Sequence, residues 1–180
     1  MKAAAALCAG LFVFIAFAVS GPAAWSGQTT SSKNPGALFA PDALVPRGAE
    51  RNLACKAAER YSDLISNRHY DQIGSIFARD SVYYGPNDDP IRGPEKIGAF
   101  YRIFLGNAKP RTRIASLIPA GPHDCLMELI GISAGYVQVT PGAIDRFTTN
   151  DAGKVIRLYI YFRPKVAQAL GPAAAPALAR

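Results

Sequence analysis

The side chains best placed to do chemistry in this sequence are a phenol and a carboxyl far apart in the chain, Tyr61 and Asp145. Leu53, Ala57, Tyr61, Leu64 and Ile65 recur at helical spacing. Residues 50–67 are therefore expected to form an amphipathic helix with Tyr61 within its apolar face. Asp145 alternates in phase with Phe147 in a β-rich stretch, which turns both inward and Arg146 outward. A carboxyl buried without a cation beside it keeps its proton to higher pH. It then donates a hydrogen bond and can stabilise an oxygen on which negative charge develops, as in an enolate. Two plainer readings stand beside this one. A tyrosine on an apolar helix face is commonly a core residue with its hydroxyl at the rim. A one-residue shift of the strand would leave Asp145 in solvent.

The thiols and imidazoles offer less. Cys8 lies in an N-terminal apolar run, which leaves Cys55, Cys125 and the distant His69 and His123; these have no metal-ligand spacing. Lys2 is followed by an uncharged run from Ala3 to Val19 and then by the small residues Ser20, Gly21, Ala23 and Ala24, the pattern of a secretory signal. Residues 1–24 are read as a signal peptide, with cleavage after Ser20, Ala23 or Ala24, and the mature protein as secreted or periplasmic. An uncleaved anchor is the alternative, because the run just reaches the short end of a membrane span. In an oxidising compartment Cys55 and Cys125 could form one long-loop disulfide. Against this, Cys55 falls on the polar side of its predicted helix, a poor start for a bridge to a core strand.

The elements that must position Tyr61 and Asp145 follow from the pattern between residues 49 and 165. A short second helix is expected over 70–78, with Ile73, Ile76 and Phe77 as its apolar positions, and a strand over 80–84, closed by Gly85-Pro86. Pro94 suits the first turn of a third helix and Glu95 its N-terminus; Ile97, Phe100, Tyr101 and Phe104 are its apolar residues, and Gly106-Asn107 its end. Strands are expected over 111–119, 124–133, 136–149 and 154–163. Three helices followed by hairpin-connected strands predict an α+β domain with the helices on one face of a curved, mostly antiparallel sheet. Residues 25–48 read as a flexible linker and 166–180 as an Ala/Pro-rich tail, either frayed helix or disordered. Apolar residues make up 49% of the chain, enough for a core. The net charge of +7 is scattered, apart from Lys109, Arg111 and Arg113, which argues against a nucleic-acid-binding stripe.

Several stretches carry a family resemblance. Arg60-Tyr61, Tyr70-Asp71, Phe77-Ala78, Asp80, Gly93 and Ala99-Phe100-Tyr101-Arg102 are similar to the helical half of the bacterial ketosteroid isomerases. Ile144-Asp145-Arg146-Phe147 and Asn150-Asp151-Ala152-Gly153-Lys154-Val155 are similar to that family's long strand and hairpin turn. The chain from about 50 to 165 thus resembles the ketosteroid isomerase branch of the nuclear transport factor 2-like families, whose framework the SnoaL-like cyclases share. The resemblance implies a cone-shaped fold, no cofactor, and a homodimer formed through the open sheet face. It also pairs Tyr61 and Asp145 as the donors to a substrate oxygen. The family is a worked case of a carboxylic acid kept neutral by an apolar site so that it can donate. Tyr101 matches the tyrosine that supports this pair, and Tyr84, Phe100, Phe104 and Phe147 are the expected aromatic walls.

One departure from the family is serious. Its aspartate base stands immediately before the proline that ends the first strand, and this chain has Gly85 before Pro86. A family tyrosine at the end of the second helix is replaced by Phe77. Asp88, Asp89, Glu128, His69 and His123 are the available substitutes for the base, and a base must reach the proton it removes. Two functions remain open. One is an isomerase-like or cyclase-like enzyme acting on a small hydrophobic carbonyl or steroid-like substrate. The other is a non-catalytic module that binds such a ligand or dimerises with another protein.

Overall fold

The helix that carries Tyr61 begins where Asn52 caps it. The Asn52 side chain accepts a hydrogen bond from the Cys55 amide at 2.9 Å and donates one to the Gly121 carbonyl at 2.6 Å. A cap of this kind contributes about 1 kcal/mol, and here it also ties the helix start to a strand turn. The structure, a computed structural model, describes residues 38–85, 89–133, 136–137 and 142–168. Helix α1 spans Leu53–Ser66 and is preceded by a 3-10 turn at Ala49–Arg51, so the predicted helix over 50–67 starts later than its periodicity suggested. Its apolar face buries Ala54, Ala57, Ala58, Tyr61, Leu64 and Ile65.

Strands β1 (Phe39–Leu44), β2 (Phe77–Tyr84), β3 (Ile91–Arg92), β4 (Arg111–Pro119), β5 (Asp124–Ser133), β6 (Tyr136–Val137), β7 (Ala143–Thr149) and β8 (Val155–Phe162) form one curved, unclosed sheet. The strand order is β1-β4-β5-β7-β8-β2-β3, with β6 added beside β5. The β4-β5-β7-β8 pairs are antiparallel, whereas β1 on β4 and β2 on β8 are parallel. Helix α1 packs across β4, β5 and β7, and helix α2 (Pro94–Ala108) covers β2 and β3. This is the expected α+β arrangement.

Several boundaries differ from the sequence expectation. The second helix is a 3-10 segment, Tyr70–Ile76, and Phe77 is the first residue of β2 instead of the end of a helix. That segment lies so close to α2 that a Cβ at Gly74 would stand 2.7 Å from the Pro94 carbonyl oxygen, a distance no larger residue tolerates without movement. Helix α2 starts with Pro94 in its first turn as expected, but runs past Gly106-Asn107 and stops at Lys109, which adopts the left-handed conformation (φ 45°). The strand expected over 136–149 is two strands, β6 and β7. Strand β1 lies within the stretch read as a linker. Its residues carry no alternation that marks a strand, and its pairing to β4 comes from tertiary context. Residues 164–168 form a helical turn. The signal peptide, the linker up to residue 37 and the tail beyond residue 168 lie outside the described residues. Among those described, no helix is long and apolar enough to cross a membrane.

Cys55 and Cys125 form a disulfide with Cα atoms 5.1 Å apart, joining the first turn of α1 to β5. Both residues are fully buried. The assignment of Cys55 to a polar helix side fails because α1 is covered by the sheet on more than its large apolar side chains; Cys55 and Ser62 are buried too. The bridge closes a loop of 70 residues. Replacing both cysteines by alanine is expected to lower stability by about 2–5 kcal/mol, read as a fall in the urea midpoint, with dithiothreitol doing the same to the wild-type protein only.

Candidate functional site

Tyr61 sits two turns into α1 with 3% of its surface exposed. Its hydroxyl donates to Tyr101 Oη at 2.9 Å in a buried contact between α1 and α2. Its ring meets Phe147 of β7 edge-on, with centroids 5.4 Å apart. The phenol is therefore held by two elements besides its own helix.

Asp145 is the third of the seven residues of β7, whose side chains alternate between the core and the outer face. Its cross-strand neighbours are Met127 on β5 and Ile160 on β8, both buried. Only 1% of Asp145 is exposed, and neither carboxyl oxygen has a hydrogen-bond partner. Arg146, the adjacent cation, turns to the other face and pairs with Asp124 at 3.1 Å. Burial alone pushes the Asp145 carboxyl well above the usual carboxylate range, with no basic group pulling it back.

Three phenols share this environment. Tyr61, Tyr83 and Tyr101 are all raised, in each case chiefly by burial. A negative charge on Asp145 raises each of them further, which places all four groups within electrostatic reach of one another. Such a cluster is stable with every member protonated. Burial and mutual repulsion both disfavour a negative charge on any of its members.

The expected site residues fall into two groups. Tyr61, Asp145, Tyr101, Phe100, Phe104 and Phe147 are all buried on the inner side of the sheet. Tyr84 is not. It pairs in register with Tyr159 on the outer face and stacks on that ring at 4.4 Å, so the expectation that it walls the site is corrected. The buried residue at this end of β2 is Tyr83, which packs against Phe100 and Tyr101 with centroids 5.4 Å away in each case. Its signal was in the sequence: position 83 lies in phase with position 85, the place where the resemblance puts an inward side chain.

None of the described substitutes for the missing base joins the cluster. Glu128 pairs with exposed Ile144 on the outer face and accepts a hydrogen bond from Ser116 Oγ at 2.6 Å. His123 lies 3.4 Å from Asp151 near the β7–β8 turn, and His69 and Asp89 are exposed. Asp88 lies outside the described residues. Among those residues no group of His, Cys, Asp and Glu could hold a metal ion.

The fold defines a class of protein: helices laid on an open, curved sheet, with a polar cluster between them. No protein-family model matches the sequence, and no curated protein matches it. Solved structures do match. A steroid delta-isomerase from Pseudomonas aeruginosa superposes with a TM-score of 0.57 at 19% identity, covering 71% of this chain and 92% of its own. RV0760c from Mycobacterium tuberculosis, in complex with estradiol-17beta-hemisuccinate, gives 0.54 at 16% identity, covering 64% and 97%. A computationally designed 17-OHP binder gives 0.54 at 17%, with the same coverage. A Silicibacter pomeroyi protein described as having a cystatin-like fold gives 0.55 at 18%, covering 67% and 83%. This chain has the nuclear transport factor 2-like (cystatin-like) fold, and the ketosteroid isomerase resemblance holds at the level of that fold.

The raised carboxyl has a consequence for stability. Asp145 holds its proton in the folded state at pH values where the unfolded chain, with an ordinary carboxyl near 3.8, has lost it. The folded state then binds more protons, so this group's contribution is fully present below that value and declines as pH rises toward the folded-state pKa. Asp145→Asn, neutral at every pH, should lack that decline. Urea unfolding from pH 4 to pH 8 should show its stability relative to wild type increasing with pH.

Proposed function

We propose that this domain binds a small hydrophobic ligand, steroid-like in size, by a carbonyl or phenol oxygen held between Tyr61 and protonated Asp145. The observation that carries the reading is the Asp145 carboxyl, buried with both oxygens unpartnered. An unsatisfied polar group of this kind costs about 1–3 kcal/mol, and a ligand acceptor would remove much of that cost. Tyr61 can join it. Rotation of the two hydroxyls lets Tyr101 donate to Tyr61 and Tyr61 to the ligand. Two of the matched structures are described with steroid ligands, which supports the same ligand class.

Binding is favoured over turnover. A positioned base contributes about 10²–10⁴-fold to a proton-transfer rate, Gly85 supplies none, and the described substitutes lie elsewhere. Export to an oxidising compartment is part of the proposal and is supported by the Cys55–Cys125 bridge. So is a homodimer through the outer sheet face, supported by the Tyr84, Tyr159 and Tyr161 stack and by Ile144 and Tyr161, which are 41% and 58% exposed.

Equilenin, a planar steroidal phenol, should bind wild type, and Asp145→Asn or Tyr61→Phe should each weaken it by about tenfold or more. A 5-ene-3-ketosteroid should be turned over no faster by wild type than by the Tyr61→Phe, Asp145→Ala double variant. Equal equilenin affinity in all three proteins would sink the oxygen-binding reading. Clear wild-type turnover would replace the binder with an enzyme.

A further inference from the structure

Tyr83 takes no part in the reading above, yet it is as deeply placed as the residues that do. Its surface is 2% exposed and its hydroxyl has no hydrogen-bond partner; Tyr101 stands near it without completing one. The ring is clamped from one side by Phe100 and Tyr101. On the other side it reaches Gly85. A Cβ at Gly85 would lie 2.7 Å from the Tyr83 hydroxyl oxygen and 2.9 and 3.0 Å from two ring carbons. These are closer than side chains pack, so any larger residue at position 85 would have to displace the phenol. The phenol of Tyr83 thus fills the space that a side chain from position 85 would need.

We propose that Tyr83 is a third oxygen-binding residue of the site: its hydroxyl, standing over Gly85, donates to the ligand oxygen held by Tyr61 and Asp145. The inference rests on the proposed oxygen-binding function and extends it to a specificity. A buried hydroxyl leaves no hydrogen-bonding capacity unused without cost, and Tyr83 has no acceptor of its own in the protein. The groups around it that could carry charge are Asp145 on β7, Tyr61 on α1 and Tyr101 on α2, each of which burial pushes toward its protonated form. Three donors within electrostatic reach of one another, with no base beside them among the described residues, define the polar end of the ligand. It is an oxygen that accepts several hydrogen bonds, a ketone or, more tightly, a phenolate. The absence of a side chain at position 85 and the presence of a phenol at position 83 are then one structural fact.

The test titrates the disulfide-intact protein with 2-naphthol, followed by its fluorescence, and with naphthalene as a probe of the same shape without oxygen. Tyr83→Phe should weaken 2-naphthol by about tenfold, leave naphthalene affinity unchanged, and leave the melting temperature equal or higher because an unpartnered hydroxyl has been removed. Gly85→Ala should cause the same selective loss by displacing that hydroxyl. If Tyr83→Phe binds 2-naphthol like wild type while Asp145→Asn does not, Tyr83 is no ligand donor and only this inference falls. Should Tyr83→Phe lose both probes equally, the residue is packing alone and the inference falls again. Indifference of 2-naphthol to Asp145→Asn as well would overturn the oxygen-binding reading itself, and this inference with it.

Discussion

A carboxyl group taken out of water with nothing to bond to is the constraint around which this fold is organised. Asp145 cannot be ionised where it sits without a penalty of several kcal/mol, since no cation compensates it. Remaining neutral leaves only the smaller cost of unmade hydrogen bonds, on the order of 1–3 kcal/mol. The neutral form wins, and it converts an acid into a donor. The tyrosines respond to the same logic. Each is harder to ionise, first because of burial and then because of its charged-form repulsion with Asp145 and the other phenols.

The surrounding architecture keeps those groups together. Tyr61 comes from a helix fixed at its start by the Asn52 cap and the Cys55–Cys125 bridge to β5, and β5 is the immediate neighbour of the strand that presents Asp145. Tyr101 comes from α2, and the Tyr61–Tyr101 hydrogen bond links the two helices directly over the sheet. Loosening α1 would therefore move the phenol relative to the acid. Strand β7, with β5 on one side and β8 on the other, has little freedom to shift register, because a one-residue slip would carry Asp145 and Phe147 to the solvent face.

Much of this was legible in the sequence, and the gaps have physical causes. Period-two alternation around Asp145 and Phe147 and helical spacing around Tyr61 encode burial directly, so their inward placement could be read. Strand limits at 111–119 and 124–133 were equally clear because Pro, Gly and Asn punctuate them. Strand β1 was not, since its pairing is decided by a distant partner. Cys55 was misread because apolar periodicity marks the centre of a buried face and says little about its edges. Tyr83 and Tyr84 are the most instructive case. Adjacent identical residues cannot be told apart by type; the phase of the strand decides, legible in the sequence only through position 85 and settled by the pairing of β2 with β8.

The most direct measurement is carbon NMR of protein labelled at the aspartate side-chain carboxyl, with the Asp145 signal assigned by its loss in Asp145→Asn. At pH 7, without ligand, the account predicts that this one carboxyl gives the chemical shift of the protonated form while the exposed aspartates are ionised. An Asp145 signal that titrates together with the surface aspartates near their ordinary range would contradict it.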